Sequence, residues 1–411
     1  MTVLVTAKGG DITAWRAAGE FGATFRHALL ERSAHCRSEE AEGLFDGACQ
    51  ALEALAADND EQVARLGQIA AQAAASVDPV RLGESCGAFY AELYDHFARY
   101  GSAVAFYHFS TLFLHELSAS LHRYALKRLG RPGERLPGLM LVALGPGGRR
   151  EFSPFCPLQL LLVSGQTTNG GQEEVSRYCD ILQEGFEACG LRVDGEITPV
   201  NSSWRGSLPE WDRRLGQGLA RGRQRALVEL LRLADHEALL HIPELEAEFR
   251  ELVLARLQQS QRALGDLVAR VLDLSNGLGL MGGWRLEKSG PYRGLFRLFE
   301  HALLPLSAAV TALALINRVD AVDTPQRIRA LLGRQALDVD AAERLLQSWY
   351  LLNELRLRRE REFWPGRDRE GALYLDVTAL DEETRWALRE ALETIDTAQR
   401  RVSVAYSGTG E

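Results

Sequence analysis

The residues whose types and spacing could do chemistry cluster in one stretch, Leu141 to Val163, which reads LVALGPGGRREFSPFCPLQLLLV. An apolar run enters the glycine turn Gly145-Pro146-Gly147-Gly148. The charged triplet Arg149-Arg150-Glu151 follows, and a second apolar run begins at Leu158. Strand, glycine-rich turn, helical turn and strand is an arrangement that handles phosphate. Glycine lets the backbone come close to an anion, and N–H groups at a helix start bind it. The candidate phosphate-binding contacts are Gly145, Gly147, Gly148, Arg149 and Glu151.

The stretch resembles the nucleotidyltransferase superfamily, and within it the bacterial signal-transduction branch related to PII-protein uridylyltransferase. There a nucleotidyltransferase domain precedes a substrate-binding C-terminal domain. That branch carries Gly-Ser-x-Gly-Arg-x-Glu, then five residues, then Asp-x-Asp opening the next strand. Gly145, Gly148, Arg149 and Glu151 stand at the family's Gly, Gly, Arg and Glu, Pro146 replaces the serine, and Pro157 and Gln159 occupy the two aspartate positions. Further on, Asn201-Ser-Ser-Trp204-Arg-Gly-Ser207-Leu208-Pro-Glu-Trp211 is similar to the family's Asn-x-x-Trp-x-x-Ser-Leu-x-x-Trp. The family's Phe-Asp-x-Arg strand falls on Leu227-Val228-Glu229-Leu230, where Glu229 is one residue off and would point to the other face. Thr324-x-x-Arg327, Leu355-Arg356-Leu357, Leu380 and Gln399 match the C-terminal domain. The resemblance implies a substrate-side role for Asn201, Trp204, Ser207 and Arg356.

The missing aspartates decide the functional expectation. Nucleotidyl transfer uses hard divalent cations to neutralise the triphosphate and align the reacting oxygens, and Mg²⁺ wants anionic oxygen ligands. Proline offers no side-chain oxygen and glutamine only a neutral one. The expectation is a nucleotidyltransferase-like signal-transduction protein with impaired catalysis, sensing nucleotide or binding a regulatory protein, with no metal cofactor and no carboxylates converging on the glycine turn. The alternative is an active enzyme modifying a regulatory protein, with Mg²⁺ held by acids from elsewhere such as Glu173 or Glu196.

The surrounding elements must position this loop. The chain has 411 residues, 46% hydrophobic and 25% charged, which is ordinary globular composition, and a net charge of −9 argues against bulk nucleic-acid binding. Six scattered cysteines without a C-x-x-C pair read as thiols of a reducing compartment. With neither a signal-like N-terminus nor a long uninterrupted apolar run, a cytoplasmic protein with no membrane span is expected. The fold class expected is α+β, mainly α: an N-terminal helical domain over 1–132, a small α/β domain over 133–245 and a C-terminal helical domain over 246–411.

In the first domain, apolar spacing predicts helices over Ala41–Ala56, Asp60–Val77, Pro79–Tyr100 and Ala103–Leu129. In the second, strands are expected at Leu139–Leu144, Leu158–Val163 and Leu191–Ile197, with a helix at Gln172–Cys189 closed by Gly190. In the third, helices are expected at Glu246–Asn276, Leu303–Arg318, from a Thr324 cap with Pro325 at N1, at Ala341–Phe363 and at Asp381–Val404.

Three further patterns have plain readings. His108, His115 and His122 recur every seven residues, about 10.5 Å apart along a helix, too far to share one ion. Gly277-Leu-Gly279-Leu-Met-Gly282 spells G-x-G-x-x-G but follows a helical pattern, so a turn is expected and not a dinucleotide site. In Glu354–Arg361, Arg356 or Arg359 could meet a phosphate or an acidic partner, but i, i+4 pairing of Glu354/Arg358 and Arg358/Glu362 makes a solvated helix face the simpler reading.

Overall fold

The computed structural model describes residues 39–130, 138–165, 172–220, 232–258, 261–275, 277–279, 283–366 and 368–407. It is mainly helical, with a small four-stranded sheet, as the composition and periodicity indicate. The reading of residues 1–38 and of Leu227–Leu230 lies outside the described residues.

Three helices come first: α1 (Glu39–Ala75), α2 (Pro79–Tyr100) and α3 (Ala103–Arg128). The two segments expected before Asp78 are one continuous helix. Asp78 caps α2 by accepting from the Val80 N–H at 3.1 Å, and Gly101, at φ +66°, ends it. Ser102 then caps α3 through the Ala105 N–H.

The sheet is built from β1 (Leu139–Leu144), β2 (Gln159–Ser164), β3 (Arg205–Ser207) and β4 (His236–Ala238), in the order β3-β2-β1-β4. β1 runs antiparallel to both β2 and β4, and β3 lies parallel to β2. All of β1 is buried because both faces are covered. Leu141 and Ala143 face the main core, while Met140, Val142 and Leu144 join Trp204, Trp211 and Phe249 on the other side. Covering helices are α4 (Gln172–Ala188), α5 (Leu208–Ala220) and α6 (Pro243–Gln258).

The expected strand at Leu191–Ile197 is not one. Val193 makes a single bridge to Leu158, after which Asp194 Oδ1 accepts from the N–H groups of Glu196 and Ile197 and turns the chain. The third and fourth strands come from Arg205–Ser207 and His236–Ala238 instead.

The C-terminal helices are α7 (Gln261–Asp273), α8 (Leu304–Ile316), α9 (Thr324–Gly333), α10 (Val339–Phe363) and α11 (Glu382–Ser407). The long helix expected from Glu246 is described as α6 and α7, and residues 259–260 between them lie outside the described residues. Gly277 takes φ +74° after the end of α7, while residues 280–282 of the expected turn lie outside the described residues. The cap of α9 is Asp323, which accepts from the Gln326 N–H at 2.8 Å, and not Thr324. Phe299–Ile316 is apolar and long enough to cross a membrane, yet 61% of it is buried inside the protein, where α8 packs against α9 and α11.

Candidate functional site

The glycine turn forms one helical turn, Gly145–Gly148, between β1 and the charged triplet. Gly145 adopts φ +58°, a region that favours glycine, and a Cβ there would stand 2.8 Å from Oε1 of Gln159. The Gln159 amide therefore lies across the entrance to the turn. Its Nε2 donates to Oδ2 of Asp194 at 3.2 Å. Burial alone would raise the pKa of Asp194, but the Ile197 and Glu196 N–H groups and Gln159 hold it below its ordinary value. Pro157, at the other aspartate position, is half-buried.

Gly148 touches the chain entering β4: a Cβ there would be 2.5 Å from the carbonyl carbon of Asp235 and closer still to its oxygen. That contact delivers Asp235 to Arg149. Arg149 Nη1 donates to Asp235 Oδ2 at 2.7 Å, and Arg149 Nε to Glu151 Oε2 at 3.0 Å. On its other oxygen, Asp235 accepts from Arg327 Nη1 of α9 at 2.5 Å and from Thr311 Oγ1 of α8 at 3.3 Å. Glu151 Oε1 in turn accepts from Trp349 Nε1 of α10 at 3.1 Å and from the Thr324 N–H at 3.4 Å. Arg149, Glu151, Asp235 and Arg327 are all buried. Desolvation by itself would push the Asp235 carboxyl up, but Arg327 and Arg149 outweigh it and keep it below the usual carboxylate range. For Arg149, burial opposes the charge, while Asp235 and Glu151 hold its pKa above the ordinary value.

Two residues along, Glu237 of β4 makes a parallel set of contacts. Its Oε1 meets His115 Nε2 of α3 at 3.1 Å, and its Oε2 lies 3.0 Å from Arg150 Nε. Burial raises its pKa, but the His115 hydrogen bond and the Arg150 charge leave it lowered on balance.

The family described as "Putative nucleotidyltransferase DUF294" matches residues 89–225, and the one described as "Putative nucleotidyltransferase substrate binding domain" matches 261–406. They follow each other in that order and together span most of the chain. The chain belongs to this nucleotidyltransferase family. No curated protein matches it.

The expectation of lost negative charge around the family's glycine turn is overturned. Glu151, Asp235 and Glu237 do converge there, and a carboxylate, Asp235, stands where β4 begins. All three are engaged by arginine, and among the described residues no group of three or more His, Cys, Asp or Glu side chains has a metal-holding arrangement. Glu173 and Glu196 are exposed and outside these contacts. The sequence signal for Asp235 and Glu237 was the alternation Asp235-His236-Glu237-Ala238, too short to separate from its surroundings.

The residues matched to the substrate side have structural partners. Asn201 caps a short helical turn through the Ser203 N–H, and Trp204 packs near Trp211. At the start of α5, Glu210 Oε2 accepts from the Ser207 N–H at 2.7 Å and from its hydroxyl at 3.1 Å, the Glu-to-N–H half of a capping box. Arg356 is neither solvated nor at the glycine turn. It is buried, donating to Glu360 Oε1 at 2.7 Å and to Ser153 Oγ at 2.6 Å. The solvated pairs on that helix are Glu354/Arg358 and Arg359/Glu362, the second at i, i+3 and not Arg358/Glu362. The three spaced histidines have separate surroundings, His115 against Glu237 and His122 against Tyr178, with His108 exposed.

Proposed function

We propose that this member of the nucleotidyltransferase family acts by binding a regulatory protein and does not transfer nucleotides. One observation carries the reading: Asp235, the carboxylate packed against the glycine turn, gives both oxygens to arginines, Arg149 on one and Arg327 on the other. Mg²⁺ needs such oxygens for itself, and freeing them would leave the buried Arg327 without a carboxylate and Arg149 with Glu151 alone. At the entrance, Gln159 covers Gly145 with a neutral amide. The triplet that in the family grips a nucleotide works here as a clamp between the sheet and the C-terminal helices. Buried thiols at Cys86, Cys156, Cys179 and Cys189, none in a disulfide, favour a reducing, cytoplasmic setting.

A second reading, metal-dependent transfer, is favoured by Asp194, a half-buried carboxylate beside Gln159. Incubating the protein with labelled ATP, UTP, CTP or GTP, Mg²⁺ or Mn²⁺ and cell extract separates the two. We expect no labelled protein band above the blank. A band that Asp194→Asn abolishes would establish transfer and remove our reading. Calorimetry with the same nucleotides tests sensing: heat of binding with any of them would make the protein a nucleotide sensor.

A further inference from the structure

Behind β4, a cavity of about 30 Å³ separates β4 and α6 from α8 and α9, bordered by His236, Arg250, Thr311, Asp320 and Arg327. It has room for about two waters or one small ion. Its polar wall is unusual for what it lacks. His236 is 7% exposed, and its Nδ1 lies 2.7 Å from the Leu233 carbonyl oxygen. A carbonyl only accepts, so Nδ1 carries the proton and the Nε2 of the neutral ring has a lone pair to fill. Among the described residues no partner reaches Nε2. Leaving a buried acceptor so is unfavourable, and a ligand with an O–H would relieve it.

Two guanidinium groups line the same cavity. Arg327 is fixed by Asp235, Thr311 and the carbonyls of Ala321 and Ala234. Arg250 donates to Asp320 Oδ1 at 3.0 Å, in a pair whose carboxylate is 64% exposed, and more weakly to Glu246 Oε1 at 3.5 Å, which holds it at the cavity when Asp320 leaves. Such surface pairs contribute little, so another oxyanion can take Asp320's place on Arg250 without stranding a charge.

We propose that this cavity binds a small oxyanion that carries a hydroxyl, of the dihydrogen phosphate or bicarbonate class. The hydroxyl donates to His236 Nε2, and the remaining oxygens accept from Arg250 and Arg327 after Asp320 swings into water. The ligand would join the sheet and α6 to α8 and α9, and the site stands whether or not the glycine turn transfers nucleotides.

The test uses the full chain and calorimetry with inorganic phosphate and, separately, bicarbonate, against chloride at equal ionic strength. The ¹⁵N resonance of His236 Nε2 is followed alongside. We expect saturable binding of at least one anion with a shift of that resonance. Arg250→Gln, at a partly exposed position, should weaken binding at least tenfold, and Asp320→Asn should tighten it by releasing Arg250. Circular dichroism confirms that both variants fold. No saturable heat above chloride with either anion, or affinity unchanged by Arg250→Gln, overturns the site and leaves the cavity to water or to an adventitious ion only.

Discussion

Arg149 and Arg327 reach the same carboxylate from opposite sides: Nη1 of the first is 2.7 Å from Oδ2 of Asp235, and Nη1 of the second is 2.5 Å from Oδ1. One side chain lies just past the glycine turn and the other on α9. Asp235 is thus one link, beside Glu151, by which the glycine turn is fastened to the C-terminal helices. Replacing it with asparagine would leave two buried arginines short of charge. The loss expected is about 3–5 kcal/mol, as for other buried pairs broken from one side. Urea denaturation of Asp235→Asn measures it, and a loss below about 1 kcal/mol would show that the link contributes little.

The approach of Gly148 to β4 makes a sharper steric prediction. The obstruction to a Cβ is the Asp235 backbone, which cannot swing aside as a side chain could. Gly148→Ala should therefore cost about 1–3 kcal/mol or more through overpacking. Gly195→Ala, where nothing lies within 4 Å, should be nearly silent. Equal thermal melts for the two variants would mean that the turn is looser than its contacts imply.

Acid should loosen the N-terminal helices through His96. Its Nε2 lies 2.9 Å from Asn59 Oδ1 of α1, and its Nδ1 has no partner among the described residues. Burial pushes its pKa from 6.5 down to about 4, against a smaller upward pull from Asp58. Below pH 6.5 the unfolded chain takes up a proton that the folded chain refuses until about pH 4. Stability is therefore complete above pH 6.5 and falls as pH drops across that window. At about 1.4 kcal/mol per pH unit the full loss is on the order of 3 kcal/mol. Urea midpoints at pH 7 and pH 4.5 should differ more for the wild type than for His96→Gln. Parallel losses in both proteins would assign the effect to other groups.

The sequence made some of this legible because the signals were local. The helices over Pro79–Tyr100 and Ala103–Arg128 and the apolar runs of β1 and β2 are set by residues a few positions apart. Thr324-x-x-Arg327 was visible as a matched motif, but nothing in its spacing tied Arg327 to a carboxylate ninety-two positions earlier. The same applies to Glu151, whose partners are on α9 and α10. Leu191–Ile197 alternates like a strand, but Asp194 bonds its own neighbours' N–H groups and ends the pairing after one bridge. Arg356 looked solvated because its neighbours Arg358 and Arg359 are exposed or nearly so. Which face of a helix is buried against Ser153 is decided two hundred residues away.

The entrance to the turn gives the last prediction. Gln159 Oε1 occupies the space over Gly145 while its amide donates to Asp194. Changing Gln159 to aspartate would remove that donor and set two carboxylates side by side, an arrangement that repels itself unless a cation intervenes. Adding Pro157→Asp supplies a further anionic oxygen at the position where the family has its first aspartate. The double variant should therefore be less stable than the wild type without divalent cations and should recover when Mg²⁺ or Mn²⁺ is added, with at least a tenfold gain in Mn²⁺ affinity by calorimetry. Glu151, Asp235 and Glu237 do not contribute to this gain, because their arginine partners are unchanged. Adding Asp194→Asn to the double variant should abolish it, placing the ion at the entrance. If the double variant binds Mn²⁺ no better than the wild type, Asp194 does not face the opening over Gly145 and the entrance is closed by more than one amide.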